Sequence, residues 1–226
     1  MSDPEEGNEG NGELPASSLG TKEHWDNEYA RELEVFKEFG DIGEVWFGYD
    51  CQTRVVNWIK ESSCISLESN IIDLGCGNGS LLIELACSGY TQLTGIDYSA
   101  AAVELAKQIA LKEKAKVKFL CGDILTDDTI EDMIGQIDLV LDKGTYDAIS
   151  LSPNEAKTKR KAYNESVLSL LKKDGLFIIV SCNWTQDELK DQFSSGYVVL
   201  DTIPSPSFWF GGNVGQTTST VVFKKT

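Results

Sequence analysis

Four aspartates, Asp73, Asp97, Asp123 and Asp142, each close a short apolar run, in "NIIDL", "QLTGID", "VKFLCGD" and "IDLVLD". If those runs are parallel strands of one sheet, their carboxyl ends share a rim, and an open α/β sheet binds its ligand at that rim. Aspartate is also an ordinary turn and capping residue, which accounts for one or two such positions. Four in succession define an acidic crevice. Carboxylates accept hydrogen bonds and attract cations, so the crevice disfavours ATP or a dinucleotide pyrophosphate. It favours a ligand with ribose hydroxyls, an exocyclic amine and positive charge.

The stretch "DLGCGNGS" supplies the turn beside these carboxylates. Its glycines, Gly75, Gly77 and Gly79, have G-x-G-x-G spacing, whereas the dinucleotide fingerprint G-x-G-x-x-G needs a glycine where Ser80 stands. Glycines at such a turn let the backbone pass close to a ligand, and the amides beyond them can meet a carboxylate at a helix N-terminus. Asp97 is placed to take ribose hydroxyls in either cofactor class and does not discriminate between them.

The elements that must position these residues follow from periodicity. From Asn70 onward, continuous apolar runs alternate with helical patterns: "SLLIELACSG" after the first run, "SAAAVELAKQIALKEK" after the second, and "NEAKTKRKAYNESVLSLLKKDG", with Gly175 at its end, before "LFIIVSCN". The helix "TQDELKDQFSS" follows. Two last runs, "YVVLDTI" and "TTSTVVFKK", are joined directly through "PSPSFWFGGNVGQ" and must pair antiparallel. The expected fold is α/β, a doubly wound, mostly parallel seven-stranded sheet with an antiparallel C-terminal hairpin. Ahead of it, Thr21 can cap a helix placing Trp25, Tyr29, Leu33 and Phe36 on one face, and a second helix runs through Cys51–Ser62. Residues 1–19, rich in Gly, Asn, Glu and Ser, read as a disordered acidic tail. Residues 20–226 read as one domain, with 20–65 as its N-terminal helical cap.

Composition narrows the partners. The 226 residues carry a net charge of −16, and five acids of the first twenty residues account for only part of it. Nucleic acid is therefore a poor partner, and a basic protein or a cationic small molecule a reasonable one. No run approaches a membrane span and the N-terminus lacks a secretion signal, so the expectation is a soluble cytoplasmic monomer, with the nucleus as a second location. The six cysteines form no C-x-x-C pair and have only His24 to join them. No metal site or disulfide framework is expected.

"DLGCGNG", "GIDYS", "CGDIL" and "LDKGTYDAI" at successive strand ends resemble the class I, seven-strand S-adenosylmethionine-dependent methyltransferases. "LGTKEHWDNEY", "FKEFGDIGEVWFG", "DKGTYDAISLSP" and "SCNWTQDEL" resemble, more narrowly, the eukaryotic lysine methyltransferases that act on translation elongation factor 1-alpha. The resemblance runs from about Ser18 to the C-terminus. It implies a Rossmann-like fold, S-adenosylmethionine as cofactor, and that elongation factor as protein substrate. Gly75, Gly77 and Asp73 would hold the methionine moiety, Asp97 the ribose hydroxyls, Tyr98 the adenosine, and Asp123 with Ile124 the adenine. The N-terminal helix bearing Trp25 and Tyr29 would cap the cofactor.

Methyl transfer to lysine requires a neutral amine, which a free lysine of pKa near 10.4 provides only about once in a few thousand molecules at pH 7. Asp142 is the first candidate to orient that amine, or else it meets the cofactor's methionine end. Asn183 and Trp184 are candidates for a polar and aromatic wall around the lysine stem. Phe208, Trp209 and Phe210 could form a further substrate surface or cover the core. "DKGTYD" stands where enzymes that methylate base amines carry an "NPPY"-like run. The alternatives are a small-molecule methyltransferase on the same fold, a non-catalytic binder of the nucleoside and, more distantly, an NAD enzyme.

Overall fold

The computed structural model of the chain describes residues 13–126, 128–210 and 213–226. Helix α1 (Lys22–Phe39) begins where the Thr21 hydroxyl accepts a hydrogen bond from the His24 amide, and it ends at Gly40 in a left-handed turn. Helix α2 (Gly48–Glu61) buries Cys51, Val55, Val56 and Ile59. Then come β1 (Asn70–Leu74), α3 (Ser80–Cys87), β2 (Gln92–Asp97), α4 (Ala100–Glu113), β3 (Lys118–Cys121), β4 (Ile137–Lys143), α5 (Thr145–Ser150) and α6 (Ala156–Leu170). The chain closes with β5 (Leu171–Ser181), α7 (Gln186–Gln192), β6 (Tyr197–Thr202), β7 (Ser207–Phe210), β8 (Asn213–Gln216) and β9 (Ser219–Lys225).

Seven strands form one sheet in the order β3-β2-β1-β4-β5-β9-β6. β1 to β5 pair in parallel, while β9 runs antiparallel between β5 and β6. The apolar runs are continuous because both faces are covered. In β5, Leu176, Ile178 and Val180 join a core with Val55, Ile59 and Leu82 of the helices on one side. Phe177 and Ile179 join Tyr163, Phe193 and Phe223 on the other. The strand order reverses between β1 and β4, which leaves a crevice beyond their carboxyl ends. Among the described residues, no helix is long and apolar enough to cross a membrane.

Three local features differ from the sequence reading. Helix α6 stops at Leu170 instead of reaching Gly175: Leu171 already pairs with Ile137, and the register then jumps to Leu139–Leu176 around Asp174, which has a positive φ of 63°. The segment after β4, unassigned from sequence, forms the short helix α5. The long final connection contains its own antiparallel pair, β7 with β8; the side chains of Phe208, Trp209 and Phe210 lie outside the described residues.

Of the segment assigned to a disordered tail, residues 1–12 also lie outside the described residues, whereas 13–19 are ordered and, with Gly20, laid along α5 and α6. Glu13 accepts a hydrogen bond from Arg160 at 2.7 Å, the Ser17 amide donates to the Leu151 carbonyl at 3.0 Å, and Ser18–Gly20 make a 3-10 turn. Gly20 presses so closely on Leu151 that an added Cβ would lie 2.2 Å from its carbonyl. A polar composition concealed this strap, because backbone contacts and one ion pair hold it, helped by Leu14 alone among its side chains on the core.

Phe177 sits fully buried among the rings of Phe193, Tyr197 and Phe223. Phe177→Ala should cost about 3–5 kcal/mol through lost burial and a residual cavity. Urea unfolding would show this as a lower midpoint with an unchanged slope.

Candidate active site

The crevice is a cavity of about 510 Å³, within the range of small-molecule sites. Its floor is the turn after β1. The Gly75 and Cys76 amides both donate to the Ile96 carbonyl, at 2.8 and 3.0 Å, tying this turn to β2. The turn has no room for side chains: a Cβ on Gly75 would lie 2.0 Å from the Thr145 hydroxyl, and one on Gly77 would lie 2.3 Å from the Tyr29 hydroxyl. Both glycines have positive φ, 67° and 53°.

Asp97 fixes the other end of the turn. One of its carboxylate oxygens accepts from the Gly77 amide and the other from the Ser99 amide, each at 2.9 Å. Burial outweighs these two bonds and lifts its pKa to about 6. Tyr98 follows, with the Lys22 ammonium 5.3 Å from its ring centre. Asp123 and Ile124, beyond β3, continue this side of the cavity, Asp123 accepting from the Leu125 amide.

Helix α1 and the strap supply the roof. Trp25 stacks on Tyr29 at 6.0 Å, meets Trp46 edge-on at 5.0 Å and donates its indole N–H to the Leu19 carbonyl. The connection between α1 and α2 is clamped above the glycine turn. The Asn78 amide donates to the Ile42 and Glu44 carbonyls, and the Lys143 ammonium donates to the Trp46 carbonyl at 3.1 Å. Glu32 accepts from the Glu44 amide, and burial raises its pKa.

At the far end, past β4 and β5, the wall is formed by Asp147, Cys182 and Asn183. Asp147 is only 5% exposed. It accepts from the Ser181 hydroxyl and from the Cys182 amide, the latter at 2.8 Å, and burial raises its pKa.

A family profile described as "Methyltransferase domain" matches residues 65–210. The chain is 42% identical over 222 residues to EEF1A lysine methyltransferase 2 of Homo sapiens, spanning 98% of this chain and 92% of that one. It is 39% identical to protein-lysine N-methyltransferase EFM4 of Saccharomyces cerevisiae, over 96% and 99% of the two chains. The chain belongs to this methyltransferase family. Solved structures carry the same fold at low identity. Magnesium protoporphyrin IX methyltransferase of Synechocystis with bound SAM superposes with a TM-score of 0.60 at 18% identity, over 88% of this chain and 97% of that one. The [4+2]-cyclase SpnF superposes at 0.67 and 14%, over 94% and 97%; such likeness speaks for the fold alone.

In this methyltransferase the structure gathers Trp25, Tyr29, Gly75, Gly77, Asp97, Tyr98, Asp123, Ile124 and Asn183 around one cavity. Three residues expected at the site do not line it. Asp142, 1% exposed, accepts from the Thr145 and Tyr146 amides at 2.9 and 3.0 Å and from the Tyr163 hydroxyl, so its oxygens face the start of α5 and the core. Asp73 is 3% exposed, and burial lifts it, like Asp142, to a pKa of about 7. Trp184 packs inside, its indole donating to the Ser150 hydroxyl at 3.1 Å and its ring lying under the Arg160 guanidinium. Asp147, two residues into α5, and Lys143 and Trp46, which meet through the fold, carried no sequence signal, because their contacts join residues far apart in the chain.

Gly77→Ala should weaken binding of S-adenosylhomocysteine at least about tenfold, since it adds the Tyr29 clash to a left-handed backbone penalty of about 1 kcal/mol. Tyr29→Phe in the same chain removes the struck hydroxyl and should restore part of the affinity, as titration calorimetry would show.

The Asp97 shift predicts a pH dependence. A ligand hydroxyl needs the ionised carboxylate, so affinity for S-adenosylhomocysteine should fall as pH drops through about 6, and Asp97→Asn should flatten the profile. For folding the sign is opposite. The native state holds this proton at pH values where the unfolded chain, with a pKa near 3.8, has released it, so Asp97 makes the unliganded fold less stable as pH rises from about 4 to about 6.

Proposed function

We propose that the protein is an S-adenosylmethionine-dependent lysine methyltransferase whose substrate is a lysine of translation elongation factor 1-alpha. The observation that carries this reading is the 42% identity to a relative named for that activity, extending over 98% of this chain and thus into the strap and roof as well as the sheet. The cavity residues suit the cofactor. Gly75 and Gly77 let the turn lie bare of side chains along the cavity, against Thr145 and Tyr29, and Asp97 offers buried acceptor oxygens beside Tyr98. A floor of buried carboxylates, with the Lys143 ammonium directed away at the Trp46 carbonyl, complements a positively charged ligand.

When bound, S-adenosylmethionine supplies an electrophilic methyl group on a sulfonium sulfur. The chain's own contribution is alignment and water exclusion. Asp97 accepts ribose hydroxyls, Asp123 and Ile124 border the base, and Trp25, Tyr29 and Trp46 roof the site. Asp142 holds the first amides of α5 and so positions the wall that carries Asp147. The free thiols of the described cysteines suit a reducing compartment, in keeping with a cytoplasmic location.

The test is transfer of labelled methyl groups to purified elongation factor 1-alpha and to a fractionated extract, with the intact protein and with Asp97→Ala. Label in the elongation factor, dependent on Asp97, is the expected result. Label confined to the small-molecule fraction would overturn the proposal in favour of the small-molecule reading.

A further inference from the structure

We infer that Asp147 is the seat for the incoming lysine's ε-ammonium group and the acceptor of the proton that group must lose, with Asn183 beside it at the mouth. The inference deepens the proposed lysine methylation and rests on it.

Three observations carry it. First, the position is that of a substrate rather than a cofactor contact. Asp97 lies at the end of β2, whereas Asp147 and Asn183 lie beyond β4 and β5, two to three strand spacings away, or about 10–15 Å across the crevice. Second, Asp147 is buried at a wall that opens to solvent: Cys182, whose amide it accepts, is exposed, and Asn183 is half-buried. A long, narrow side chain could enter past these two residues. Third, among the described residues Asp147 has no salt-bridge partner. Its oxygens are held by a hydroxyl and an amide, both uncharged, and the buried ammonium of Lys143 is directed at the Trp46 carbonyl instead. A buried carboxylate without a counter-ion is costly, and an entering ammonium supplies one.

The hydrogen bonds from Ser181 and Cys182 anchor the carboxylate to the end of β5, so its direction is set before substrate arrives. The charged and titratable groups around it are Asp142 below, Tyr146 of its own helix and the Cys182 thiol, while Lys159 of α6 lines the same cavity and donates to the Ser152 hydroxyl. Once the ammonium is enclosed, a proton passes from its nitrogen to a carboxylate oxygen. The N–H bond breaks, an O–H bond forms, and the electron pair stays on nitrogen. Burial favours the neutral acid and neutral amine over the ion pair, as the upward shift of Asp147 indicates. The amine is then a nucleophile, and Asp147 returns its proton to solvent through the open mouth.

The experiment compares the intact protein, Asp147→Asn and Ser181→Ala, using elongation factor 1-alpha as substrate. Asp147→Asn should lower kcat about 100-fold at neutral pH, the scale of a lost general base. Its calorimetric affinity for S-adenosylhomocysteine should stay within about twofold, because Asp147 is remote from the ribose end. The deficit should shrink as pH is raised toward about 10, where the substrate lysine deprotonates unaided. Ser181→Ala keeps the carboxylate but loses the bond that orients it, so its deficit should be smaller and should likewise shrink as pH is raised. A constant deficit across the pH range in Asp147→Asn, or a parallel loss of S-adenosylhomocysteine affinity, would reduce Asp147 to a structural residue and overturn the inference. Failure of the intact protein to methylate any lysine is a separate outcome: it removes the functional reading, and this one with it.

Discussion

The whole site depends on one close approach. The backbone at Gly75 and Gly77 passes so near the Thr145 and Tyr29 hydroxyls that neither position has room for a Cβ. Because Thr145 opens α5 and Tyr29 belongs to α1, this contact sets the separation between the sheet, the wall beyond β4 and the roof. The Thr145 hydroxyl donates to the Leu74 carbonyl at 2.6 Å, so the same side chain that limits the turn also fastens α5 to β1. Asp97 completes the arrangement from β2 by taking the Gly77 amide. Three elements distant in sequence are thus held in register by a few backbone groups, and the cavity is the space they leave.

The four aspartates at the strand ends divide by orientation. All four stand at the rim of one sheet, as alternation of the apolar runs required. Along a strand, however, successive side chains alternate faces, and a residue's position at a strand end does not say which way its oxygens turn. Asp97 and Asp123 turn into the cavity. Asp142 turns to the amides of α5, doing for that helix what a capping residue does, and Asp73 is buried outside the cavity lining. The mostly parallel seven-stranded sheet, the antiparallel final pair and the α1 face bearing Trp25 and Tyr29 were legible because burial imposes periodicity. The strap, α5 and the place of Asp147 were not, since each is determined by contacts between residues far apart in sequence, such as Ser17 with Leu151 and Ser181 with Asp147.

Electrostatically the site is a set of carboxylates held out of water. Asp73, Asp97, Asp142 and Asp147 are all raised by burial, and Lys143 is lowered by the same cause. Desolvation therefore dominates over mutual attraction throughout the floor. Such a floor gains from any enclosed cation, which links the acidic character read from the sequence to a positively charged ligand without invoking the overall charge of −16.

The strap has a consequence for the order in which the molecule is built. Glu13 finds its partner in Arg160, 147 residues later in the chain, and Leu19 borders the cavity only once Leu151 has received the Ser17 amide. The first of the described residues to leave the ribosome must therefore wait for α5 and α6 before they have anything to rest on. Contacts of such sequence separation form late, because the loop they close is long. The sheet can assemble its central strands beforehand, but the pocket gains its last wall when the beginning of the chain returns to meet its second half.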